Sequence, residues 1–80
     1  MKLANYSRVQ FNPGDIVVGI EGVPLYISKS IDIWHVKDGN SLLVLKSVWS
    51  NLENVDMIYV VEMETKVEGW VKSFYLKKAF

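Results

Sequence analysis

Cysteine is absent from this 80-residue chain, and histidine occurs once. The first absence excludes disulfides and thiolate metal sites. The second leaves His35 without imidazole or thiolate co-ligands, so neither a metal nor any other cofactor is expected. A charge surplus is missing too, because nine basic residues balance nine acidic ones. That balance argues against non-specific DNA or RNA binding and against attraction to an anionic membrane. No apolar run approaches the ~18 residues of a membrane span. The opening "MKLANYSRVQFNPGD" contains no apolar stretch of the signal-peptide kind. The expectation is a cytoplasmic protein with no membrane partner. Asn5-Tyr6-Ser7 matches a glycosylation sequon, and without a secretion signal it reads as a chance match.

Half of the residues are hydrophobic, with three Trp, four Tyr and three Phe. This is too apolar for disorder. A chain of this length makes one domain with a small interior, so some of the aromatics must lie at the surface. Helix signals are weak, whereas β-branched and aromatic residues alternate between closely spaced turns. Asn12-Pro13-Gly14-Asp15 and Lys37-Asp38-Gly39-Asn40 are turns. Strands are predicted from Ile16, over 23–28 with Pro24 at an edge or strand start, and over 31–36 as a strand or ordered arm. The run "SLLVLKSVW" is apolar on both faces at its start, as in a strand that curls through a barrel. Residues 57–63 and 67–72 form a hairpin, and 73–76 suit a single 3₁₀ turn. Five or six short antiparallel strands at this length indicate an all-β barrel, in which closure removes exposed edges. The domain spans 1–80, with 1–12 as an N-terminal extension and the barrel over about 15–78.

The C-terminal "EGWVKSFYLKK" resembles the last strand and 3₁₀ turn of SH3-type domains, closer to the bacterial SH3 kind than to the signalling kind. Gly69, Trp70 and Val71 match the Gly–aromatic–aliphatic triplet of the strand. Ser73 and Tyr75 match the turn, and Leu76 the aliphatic residue that closes it. "GVPLYIS", "VKDGNSLLVL" and "MIYVVEM" resemble the upstream strands, with Leu25 and Tyr26 at an aliphatic–aromatic pair. The resemblance implies a small SH3-like barrel and a binding rather than a catalytic role. Two departures bear on ligand choice. Lys72 stands where signalling members place a Pro, and Met57-Ile58 where they place a Trp. Two main surfaces of the proline-peptide groove are therefore missing, and the implied partner is a protein or peptide.

Catalytic constellations are lacking. No nucleophile elbow accompanies the one histidine. The glycines at 14, 19 and 22 have the wrong spacing for a phosphate cradle. Glu62 and Glu64 are two apart and read as a solvated strand face. Tyr59 reads as core or barrel rim, and at least one Trp is expected to help fill the barrel. Tyr26, Trp49, Phe74 and Tyr75, with Lys72 supplying charge, are the expected protein-binding surface, because large aromatics dominate interface energetics. A structural subunit that buries the same apolar face in a homo-oligomer or larger assembly is the alternative. Weak nucleic-acid binding through Lys72, Lys77 and Lys78 ranks behind both, since these lysines read as a solubilising tail.

Overall fold

A computed structural model describes residues 10–20, 22–27 and 33–80. The sequon at 5–7, Asp32 and the first part of the arm predicted over 31–36 lie outside the described residues. Turn chemistry sets the first element. Asp15 Oδ2 accepts the Asn12 N–H at 2.8 Å, and the Asp15 N–H returns to the Asn12 carbonyl at 3.0 Å. Gly14, at φ 95°, takes the left-handed position that a side chain would strain. Its N–H reaches the Val44 carbonyl, docking the turn on a distant strand. The chain then forms β1 (Ile16–Gly19), β2 (Val23–Tyr26), β3 (Ile33–Val36), β4 (Leu42–Ser50), β5 (Val55–Glu62) and β6 (Glu68–Lys72). A 3₁₀ turn (Ser73–Tyr75) and β7 (Leu76–Lys78) complete it.

All seven strands belong to one antiparallel sheet in the order β3-β2-β6-β5-β4-β1-β7. The all-β class with its C-terminal 3₁₀ turn is as expected, with two differences. First, Lys77 and Lys78 are not a tail. They are paired to Val18 and Val17 in β7, and Lys78 lies 3.6 Å from Asp15. A strand of three residues carries too little periodicity to be seen in sequence. Second, among the described residues the sheet curls into a half-barrel whose hydrogen-bonded order ends at β3 and β7, which leaves two edges.

The core is built from alternating positions: Val17, Val23, Leu25, Val36, Leu42, Val44, Ile58, Val60, Val71 and Leu76. Phe11 joins them at 2% exposure, although it precedes the stretch read as barrel. No Trp or Tyr belongs to this buried set. The expectation of a Trp in the interior is therefore corrected, while Tyr59 is half-buried. Aliphatic residues with small cross-sections fill most of so narrow a space, and Phe11 is the one ring fully enclosed among the described residues. β4 carries a bulge between Val44 and Lys46. Before it, Leu42 and Val44 point inward. Beyond it, Ser47 and Trp49 share the face of Ile58 and Asp56, while Lys46 and Val48 share that of Tyr59 and Met57.

Glu62 is the second correction. It is not on a solvated face but 1% exposed, while Glu64 sits in the exposed turn that follows. The Glu62 carboxylate accepts hydrogen bonds from Trp34 Nε1 at 2.9 Å, Asn40 Nδ2 at 2.7 Å and Thr65 Oγ1 at 2.6 Å. The Lys37 backbone also donates to it. One side chain thereby ties β3, the β3–β4 turn and the β5–β6 turn together. Burial pushes its pKa up, but the donors from Thr65, Asn40, Trp34 and Lys37 outweigh burial and hold it below the ordinary carboxylate value. The depressed folded-state pKa makes this contribution complete above the unfolded value of about 4.3, and it is lost as pH falls through the folded value. Glu62→Gln should cost about 1.5–3 kcal/mol at neutral pH, the size of a hydrogen-bonding set to a charged group. Urea unfolding at several pH values checks this. The gap between wild type and variant should narrow as the solution is acidified.

Candidate functional site

The outer face of the sheet carries a cross-strand row that no sequence-local pattern reveals. Lys46 on β4 opposes Tyr59 on β5, Tyr59 opposes Trp70 on β6, Trp70 opposes Tyr26 on β2, and Tyr26 opposes Ile33 on β3. Directly opposed residues place their side chains on one face, so five strands present one continuous strip. The Tyr59 and Trp70 rings lie 4.9 Å apart, tilted by 56°. The Lys46 ammonium stands 5.6 Å from the first centroid and 5.5 Å from the second, within cation–π range. Tyr59 donates its hydroxyl to Glu68 at 3.0 Å, and that bond holds the phenol above its ordinary pKa.

Beside this row Tyr26, Met57, Trp70, Lys72 and Glu53 line an open depression of 410 Å³. Tyr26 is 41% exposed. Glu53 reaches it from the β4–β5 turn, where its N–H bonds the Ser50 hydroxyl at 3.3 Å, and it pairs with Lys72 at 2.7 Å. The Glu53 hydrogen bond and charge raise the Lys72 pKa, with further contributions from the Tyr26 and Tyr75 phenols. Both partners of this pair are partly exposed, so it is weak and opens at small cost.

Two of the five expected residues, Tyr26 and Lys72, line this depression. Tyr75 lies within electrostatic reach of Lys72. It is partly buried against the core, and its ring packs on that of exposed Phe74 at 4.9 Å. Trp49 is not part of the group. The bulge has turned it to the opposite face, where it lines a separate hollow of 340 Å³ with Phe11, Pro13, Ser47 and Asp56. Its indole N–H is bonded to Asn51. Trp70, Met57 and Glu53 were missed. Nothing along the chain groups them, and only the strand register and the turn geometry bring them to Tyr26. His35 is an exposed residue of β3. Among the described residues no cluster of His, Asp or Glu could hold a metal ion, and no helix is long and apolar enough to cross a membrane.

Gly69 positions the site. A Cβ there would lie 3.0 Å from the Leu25 Cβ and 3.1 Å from the Tyr26 carbonyl oxygen. A side chain there would press β6 and β2 apart by a few tenths of an ångström, at the place where Trp70 stands beside Tyr26. Gly69→Ala should therefore destabilise the fold by about 1–3 kcal/mol through overpacking, measured by urea unfolding. The same change should alter the fluorescence of the indoles, because Trp70 loses its place against Tyr26. No family model, no curated protein and no solved structure matches this chain.

Proposed function

We propose that the chain is a non-catalytic, SH3-like binding module whose depression at Tyr26, Met57 and Trp70 receives an apolar side chain from an extended segment of a protein partner. Several placements support the SH3-like part. Gly69, Trp70 and Val71 lie in a strand, Ser73 and Tyr75 in the 3₁₀ turn that follows it, and Leu76 is buried directly after. The observation that carries the binding reading is the pairing of Tyr26 with Trp70 on adjacent strands, at the wall of an open depression. Strand-borne aromatics are already ordered, so a ligand is met by large apolar area at small entropic cost.

Charge favours a peptide over a nucleic acid. The lysines of this face, Lys46 and Lys72, are accompanied by Glu68 and Glu53, so the strip offers no net positive field for a phosphate backbone. The Lys72–Glu53 pair at the rim can open to meet either sign of partner charge. Glu62, the buried carboxylate, is engaged by protein donors on both oxygens, which supports a structural role for it.

Selection of random peptides displayed on phage against the immobilised protein, followed by fluorescence polarisation with the selected sequences, tests the reading. Trp70→Ala and Tyr26→Ala should each weaken binding at least about tenfold, as for buried interface aromatics. Trp49→Ala, on the other face, should leave it within about twofold. Loss of binding on Trp49→Ala with retention on Trp70→Ala would move the site to the other hollow. A steep fall in affinity with salt would return the nucleic-acid reading.

A further inference from the structure

The two ends of the curled sheet differ in how they are protected. β7 ends with Lys77 and Lys78, the charged residues that discourage edge pairing. β3, "IWHV", bears no acid, lysine or arginine, and Ile33 and Trp34 are exposed on it. Among the described residues nothing pairs with its outer side. We infer that β3 is a self-association edge, which joins antiparallel to β3 of a second copy of this chain about a twofold axis at Trp34.

The direction of the backbone groups follows from Pro24. Proline has no N–H, so the Pro24–His35 position of the β2–β3 ladder is a non-hydrogen-bonded pair. Alternation then assigns the hydrogen bonds to Val23–Val36 and Leu25–Trp34. The N–H and C=O of Ile33 and His35 consequently point away from β2. A twofold axis at Trp34 sets Ile33 of one copy opposite His35 of the other, and these are the residues with outward groups. It opposes Trp34 to its own copy as a non-hydrogen-bonded pair, whose side chains approach closely. No charge meets a like charge in this register.

A folded copy suits the edge better than a loose peptide. Only two residues per strand offer outward groups, and the few hydrogen bonds they form return less than the ordering of a flexible segment costs. In a second copy the strand is already ordered, by β2 and by the Glu62 bond to Trp34. The interface does not use the depression at Trp70, so its failure would leave the proposed peptide site untouched, and failure of that site would leave this one.

Light scattering on a sizing column over a concentration series tests the inference. Wild type should reach twice the chain mass with a dissociation constant in the micromolar range, as fits a small interface. Ile33→Lys, at an exposed position, should weaken self-association at least about tenfold with an unchanged circular dichroism spectrum. Lys77→Ala should not weaken it. The chain lacks cysteine, so an equimolar mixture of Ile33→Cys and His35→Cys proteins should oxidise to the mixed disulfide in preference to either self-linked product. A monomer at millimolar concentration would overturn the inference. A dimer indifferent to Ile33→Lys would overturn it as well, since another surface would then be responsible.

Discussion

The extra residue in β4 is the constraint on which the remaining structure depends. A strand of nine residues beginning Leu42-Leu43-Val44 would otherwise carry one face along its whole length. By inserting one residue opposite the Val60–Tyr59 step, the bulge bends the strand and exchanges its faces. The first half can then close over the core with Val17, while the second half leaves the core and pairs with the start of β5. The exchange also sends Lys46 to the rings of Tyr59 and Trp70 and turns Trp49 away from them.

Two further devices hold the framework in place, and both act near the start of β6. At its start Gly69 removes a side chain from the contact between β6 and β2. The sheet can therefore continue from β6 into the β2–β3 hairpin although, among the described residues, only Tyr26 and Trp70 are paired there. At the end of β5, Glu62 fastens the far strand of that hairpin through Trp34 and the following turn through Asn40. The hairpin is thus secured by one backbone approach and one buried carboxylate, rather than by a long ladder. A buried carboxylate served only by neutral donors is costly to strip of any one of them, which gives the arrangement a defined geometry.

Much of the architecture was legible along the chain. The turns at 12–15 and 37–40, the β5–β6 hairpin and the 3₁₀ turn at Ser73–Tyr75 follow from local residue chemistry that tertiary packing had no reason to override. The face assignment of β5, with Ile58, Val60 and Glu62 together, was legible as well, because a regular strand alternates strictly. The inference drawn from that face was not, since alternation says which residues share a side and not whether that side meets water. Glu62 is buried because its donors arrive from three separate segments.

The sequence by itself determined the all-β class, the positions of most strands and turns, and a surplus of aromatics too large for so small an interior. These depend on neighbouring residues and on composition. Which aromatics stand together, and on which face, was decided by tertiary structure. Tyr26, Met57 and Trp70 are separated along the chain and meet through strand register, while Trp49 is removed from them by a single inserted residue. Side chains alternate with a period of two, so any shift of one residue reverses a face, and composition carries no record of where that shift occurs.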